Sequence, residues 1–153
     1  MICEAIVGIA GFVASIATAI GVIFAAIQLQ HSRSQAITTF EDGFAKEYRE
    51  LARSIPVRAL LGGELKEEDK EKSLDEFWHY FDLCNEQVFL RQIGRIRTET
   101  WVFWKDGIRS NFRKPAFQWA WKELENTKTN EYSELRRLLK SEFEEDPKSW
   151  GKK

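Results

Sequence analysis

Two histidines, two cysteines and scattered carboxylates are what this 153-residue chain offers to chemistry. His79 shares a helical stretch with Asp75, Glu76, Asp82 and Glu86, and the 75-79-82-86 spacing puts four of these on one face. Glu76-x-x-His79 is half of a carboxylate-bridged di-iron motif, which needs a second copy that the sequence lacks. That face reads as a solvated acidic helix surface, so no metal and no other cofactor is expected. Cys84 falls on an apolar helical stripe with no histidine beside it, which suits a buried core residue. There is no Gly-rich phosphate loop and no G-x-S-x-G turn. The Arg-to-His spacing of small helical ribonucleases is missing at both His31 and His79. The expectation is a protein that is not an enzyme and has no catalytic residue. An enzyme acting on lipid or nucleotide would need an unforeseen polar cluster around a pocket.

The polar residues that remain fall into two words. In LCNEQ, Asn85 and Glu86 follow Cys84, so one of them lies at the core edge, with Arg91, Arg95 or Arg109 as its expected partner. In KDGIRSN, Asp106, Arg109 and Asn111 surround Gly107, whose small size would permit close helix approach. These seven residues form a candidate cluster. It serves either as structural polar contacts or as a pocket for a small anionic ligand.

Charge is distributed unevenly. Residues 64–86 hold nine acids against three bases, a net of −6, and residues 88–122 hold eight bases against two acids, a net of +6. The basic stretch interleaves Trp101, Trp104, Phe112, Phe117, Trp119 and Trp121. Such a pattern can contact phosphates and stack on bases, or face anionic lipid. The simpler expectation is that the acidic and basic segments pack together and pair their charges. No nucleic-acid partner is expected, because residues 31–153 carry zero formal net charge.

The elements that must position these residues begin with an apolar segment. Residues 5–27 carry no charge, with only Ser15 and Thr18 polar. At 1.5 Å per residue they reach roughly 34 Å, enough to cross a hydrocarbon core of about 30 Å. Two alternatives are a buried soluble helix and a cleaved signal peptide. The second is disfavoured by an N-terminus without Lys or Arg and by an apolar run that continues past Ala19. Arg33, Lys46 and Arg49 follow the segment and no basic residue precedes it. The positive-inside tendency therefore puts the bulk of the chain in the cytoplasm, at the cell inner membrane. Gly11-Ser15-Ala19 and Ala17-Gly21-Ala25 form small-residue ridges that would let two helices approach closely.

Ile37, Phe40, Phe44, Tyr48, Leu51 and Ile55 continue a helical stripe, so the membrane helix is expected to run on to about Ser54 and to hold the domain near the bilayer. A break at His31–Ser34, where serine can cap a new helix, is the competing reading. Val57–Leu61 suit a short turn. Residues 64–72 read as a charged loop, with Ser73 and Glu76 as a capping box for the next helix. That helix buries Leu74, Phe77, Phe81, Cys84 and Val88, beside Trp78 and Phe89, and ends at Gly94. Thr98 is expected to cap a helix that buries Trp101, Trp104, Ile108 and Phe112. Pro115 opens a further helix bearing Phe117, Ala120, Trp121 and Leu124. Asn130 caps a last helix bearing Tyr132, Leu135, Leu139 and Phe143, which ends at Asp146-Pro147. No segment alternates with period two. The expected fold is all-α: an N-terminal transmembrane helix followed by a small bundle of five or six helices. The boundaries are 1–30 for the anchor, 31–145 for the helical cytoplasmic domain and 146–153 for a loose C-terminal tail.

The words IGVIFAAIQLQHSRSQA, TTFEDGFAKEYREL, YFDLCNEQVFLRQIGRI and TWVFWKDGIRSNFRKPAFQWAW cover most of the chain outside the charged loop and tail. In this arrangement the chain resembles a family of small, uncharacterised bacterial single-pass membrane proteins. The resemblance implies one anchor and a helical cytoplasmic domain, and it carries no activity over. The functional expectation is a membrane-tethered, non-enzymatic helical module that binds the lipid bilayer and either a protein partner or itself as a homo-oligomer. The alternative is an oligomeric membrane-perturbing or pore-forming effector in stress or phage defence, with Ser15 and Thr18 facing a lumen.

Overall fold

The computed structural model describes the backbone of residues 2–127 and 131–151, and their side chains except those of 2–10 and 13. Among the described residues six α-helices follow one another: α1 (Ile2–Ser54), α2 (Val57–Leu60), α3 (Glu67–Gln92), α4 (Thr98–Phe112), α5 (Pro115–Asn126) and α6 (Ser133–Lys140). A 3-10 turn follows at Pro147–Ser149, and no strand occurs among the described residues.

The chain divides into two units at Thr39/Phe40. The first is the apolar part of α1, long and apolar enough to cross a membrane. Phe12, Ile20, Val22, Ile23, Phe24 and Leu29 are all more than half exposed, and none of the apolar window of this helix is buried. No break occurs at His31–Ser34. The compact unit begins at Phe40, later than the expected boundary at residue 31, because Phe40 and Phe44 are the first residues of the stripe to pack into the core.

Within the compact unit α3 is the central element, packed against α5, α6 and the 3-10 turn. Its inner face carries Phe77, Phe81, Cys84 and Val88, all buried, with Leu74 and Trp78 packed at the edge. Phe77 and Tyr80 both meet the Phe117 ring edge-on, at 5.0 and 5.1 Å between centroids, and Phe81 meets Trp121 at 5.1 Å. Edge-to-face rings of this kind add about 1 kcal/mol per pair beyond area burial. Phe89, expected on the flank, is exposed.

Four local expectations are corrected. First, α3 starts at Glu67, inside the stretch expected to be a loop, because Glu67, Glu68 and Asp69 place carboxylates in the first turn, where the helix dipole favours them. Ser73 is then an interior residue whose hydroxyl donates to the Asp69 carbonyl, and no capping box forms with Glu76. Second, Arg97 rather than Thr98 is the N-cap residue of α4. Third, α6 ends at Lys140, and Phe143 is buried by a chain reversal rather than by a helical turn. The Asn130 cap lies outside the described residues. Fourth, residues 146–151 are not a loose tail. Asp146 bonds Arg91, Pro147 is buried, and Arg137 stacks on Trp150 with its guanidinium 4.3 Å from the ring centre.

Helix ends explain the turns between these elements. After α3, Gly94 adopts φ +76°, its N–H donates to the Arg91 carbonyl and the Arg95 N–H donates to that of Leu90. This is the Schellman arrangement, which needs a left-handed residue and therefore favours glycine. The same bonds end α6, with Glu142 at φ 53° in the glycine position and Phe143 at φ 66° after it. Burial of the Phe143 ring offsets its strain. The Glu142 side chain is exposed and offsets nothing. Glu142→Gly is therefore expected to stabilise the protein by about 1 kcal/mol, seen as a higher thermal midpoint. An unchanged or lower midpoint contradicts this account of the turn.

Candidate functional site

Of the seven polar residues picked out by the sequence, the structure uses five as structural contacts and leaves two lining grooves. Arg91 is 2% exposed. Its Nε donates to Asp146 Oδ1 (2.9 Å), one terminal nitrogen to Asp146 Oδ2, and the other to the Ile96 carbonyl (2.9 Å). The fork therefore ties the 146–151 segment and the α3–α4 turn to the end of α3. Asn85 Oδ1 accepts the Leu135 N–H at 3.0 Å, in the first turn of α6. This overturns an arginine partner for Asn85, because the nearer donor is an unpaired amide of a helix N-terminus. Asn111 Nδ2 donates to the Tyr80 hydroxyl (2.9 Å), and its Oδ1 accepts from Lys114 Nζ (2.7 Å). Arg109 holds the Glu142 carbonyl (2.6 Å) and Glu144 Oε1 (2.8 Å), and it lies over the Phe143 ring. Arg95 lies over Phe40. The seven do not converge on one pocket.

Glu41, not anticipated from sequence, is the most heavily bonded carboxylate among the described residues. It is 4% exposed and accepts the Arg97 N–H (2.9 Å), Arg97 Nε (2.9 Å), a second Arg97 guanidinium nitrogen and the Thr100 hydroxyl (2.8 Å). Burial by itself would push this carboxyl up. The bonds from Arg97 and Thr100 outweigh burial and hold it below its ordinary value. The carboxylate supplies from another element the cap that α4 lacks in its own sequence. The available signal was its place between Phe40 and Phe44 on the inward-facing stripe.

The two charged segments do not pair with each other. Among the described residues, the ion pairs of the 88–122 segment go to Glu41, Glu144 and Asp146, and no ion pair joins it to the 64–86 segment. Its rings fill the core: Trp101, Trp104 and Phe117 are buried, and Phe112, Trp119 and Trp121 are half-buried.

Glu86 lines a shallow acidic groove of about 330 Å³ with Glu47, Glu50, Ser54, His79 and Asp82. Among the described residues no set of His, Cys, Asp and Glu is placed to hold a metal ion. Partial burial and the neighbouring Glu47 and Asp82 push the Glu86 carboxyl above its ordinary value. A raised folded-state value means that ionising Glu86 opposes folding at neutral pH. Glu86→Gln is therefore expected to raise stability at pH 7. The gain should shrink as the pH falls toward 4.5, the ordinary value. Denaturant titrations at both pH values check this, and an equal effect at both contradicts it.

Asp106 stands at a different groove, of about 400 Å³, formed by the 45–49 segment of α1, by α3 and by α4. Tyr48, Tyr80, Cys84, Phe103, Trp104 and Ile108 make its wall, and Arg49 also lines it. A Cβ added at Gly107 would meet nothing within 4 Å. Gly107 therefore opens onto this groove and does not seat a neighbouring helix as expected. Burial pushes the Cys84 thiol up to about 12, so it stays protonated and serves as apolar wall.

In the apolar part of α1, a Cβ at Gly11 or Gly21 likewise meets nothing within 4 Å. Ser15, Ala17 and Ala25 are exposed on the same segment. The Ser15 hydroxyl donates to the Gly11 carbonyl (2.8 Å) and Thr18 to that of Ala14 (2.9 Å). Comparison with protein-family models, with curated proteins and with solved structures finds no match to this chain.

Proposed function

We propose that this protein is a membrane-tethered, non-enzymatic helical module, held at the inner face of the cell membrane by α1, with the compact domain on the cytoplasmic side. The observation that carries the reading is the contrast between its two units. The apolar part of α1 exposes large hydrophobic side chains on every side, a surface suited to lipid. The compact unit directs its polar side chains into its own architecture: Arg91, Asn85, Asn111 and Glu41 each satisfy a helix end, a turn or a neighbouring core group.

The small-residue ridges support self-association. Gly11, Ser15, Ala17, Gly21 and Ala25 offer a surface on which two copies of α1 can approach closely. A pore is the weaker reading. Ser15 and Thr18 satisfy their hydroxyls on their own helix, so they sit in hydrocarbon without needing a watery lumen. Native mass measurement of the full chain in mild detergent, combined with in-cell crosslinking, tests the module. It predicts a discrete homo-oligomer or one recurrent protein partner. A monomer with no crosslinked partner contradicts it, and dye leakage from vesicles would favour the pore.

A further inference from the structure

We propose that the groove between the 45–49 segment of α1, α3 and α4 binds a small, uncharged, planar ligand carrying an amide-like donor–acceptor edge on an apolar body. This goes beyond tethering and rests on the compact unit alone.

The central observation is Gln87. It lies on the face of α3 that also carries Tyr80 and Cys84, it lines the groove, and it is only 5% exposed. Among the described residues its side-chain amide has no hydrogen-bond partner. Its amide nitrogen and oxygen are not sealed from solvent, so water bonds them in the empty groove. An occupant with a matching donor–acceptor edge displaces that water and keeps both bonds.

The chemistry of the occupant follows from the wall. An amide offers a carbonyl acceptor beside N–H donors, and its natural complement is another planar amide, lactam or pyridone edge that forms two parallel bonds. Around Gln87 the surface is made by Tyr48, Tyr80, Phe103, Trp104, Ile108 and Cys84. Flat rings favour a flat body through edge and face contacts. The Tyr80 hydroxyl is already engaged by Asn111 and the Cys84 thiol stays protonated, so neither supplies a charge to neutralise an ionised ligand. Arg49 and Asp106 are exposed groove residues that keep their hydration. A charged group carried into the depth would therefore be unpaired and strongly disfavoured. A volume of about 400 Å³ is in the range of small-molecule sites, which run from about 300 to 1,000 Å³.

The test uses the full-length protein in lipid nanodiscs, with fluorine NMR of 4-fluorobenzamide and with empty nanodiscs as the blank. Saturable line broadening is expected with protein and not with the blank. 4-Fluoroacetophenone keeps the ring and the acceptor but replaces the amide nitrogen by a methyl group. It is expected to bind at least about tenfold more weakly, because it leaves Gln87 half unpaired. Gln87→Leu should weaken the benzamide by a similar factor while keeping or raising the thermal midpoint. A purely structural glutamine would lower the midpoint instead. Gly107→Leu enters open space on a helix, so the protein should stay folded and lose the binding. The proposal is overturned if the wild type shows no saturable broadening, if acetophenone binds as well as benzamide, or if Gly107→Leu binds unchanged.

Discussion

Asp146→Ala should cost about 3 kcal/mol of stability, a large part of what a domain of this size has. Arg91 is 2% exposed and loses both of its carboxylate bonds, keeping only the Ile96 carbonyl and a long contact to Thr98. Stranding one member of a buried pair costs about 3–5 kcal/mol. The lower end applies because the Asp146 side is 43% exposed, so water can approach the guanidinium once the carboxylate is gone. The thermal midpoint should fall by roughly 10 °C. The double variant Asp146→Ala/Arg91→Met removes both charges and should recover most of the loss, because an apolar replacement of a buried pair is often nearly neutral. A double variant no better than the single would show that the contact is packing rather than charge.

Glu41→Ala should have the second-largest effect, about 2–3 kcal/mol, from bonds to charged and backbone donors. It leaves the Arg97 N–H at the start of α4 and the Thr100 hydroxyl without their acceptor. The Arg97 guanidinium is 46% exposed and returns to water, so its share of the loss is small. Hydrogen exchange at the first turn of α4 should rise well above that of α3 in the same variant. Glu41 and Asp146 also set the response to acid. Both carboxyls are held below their ordinary values, Asp146 chiefly by the Arg91 fork. A depressed folded-state value gives stability that is present above the unfolded values of 4.5 and 3.8, and it is lost as the pH falls through the lower folded values. The wild type should therefore lose stability steeply below about pH 4, and a Glu41→Ala/Asp146→Ala variant should show a flatter profile. Equal slopes would contradict the assignment of these two groups.

Much of the helical organisation was legible because it rests on local period and punctuation. The 37-40-44-48-51-55 stripe, Pro115 and Gly94 each gave an element or its end in the right place. The start of α3 was not legible from apolar period, because Glu67–Lys72 has no apolar residue and is helical through its dipole and the Glu67–Lys70 pair. The turn at Glu142-Phe143 was hidden because non-glycine residues occupy left-handed positions there, held by tertiary burial of the Phe143 ring. The polar residues were found as types but not as partners. Arg91 and Asp146 lie 55 positions apart, and Glu41 and Arg97 lie 56 apart, distances over which spacing carries no information. Gln87 escaped attention because a single glutamine on an apolar stripe has no pattern. Its meaning arises only from the absence of a partner in the folded groove.

Alkaline carbonate washing of membranes from cells expressing the full chain tests most directly whether α1 holds the protein in a bilayer. The account predicts that the protein stays in the membrane pellet with integral proteins. It also predicts that Ile16→Lys/Ile20→Lys/Ile23→Lys, which places charges on the exposed apolar surface of α1, moves it to the supernatant. Wild-type protein released to the supernatant by carbonate would contradict the account.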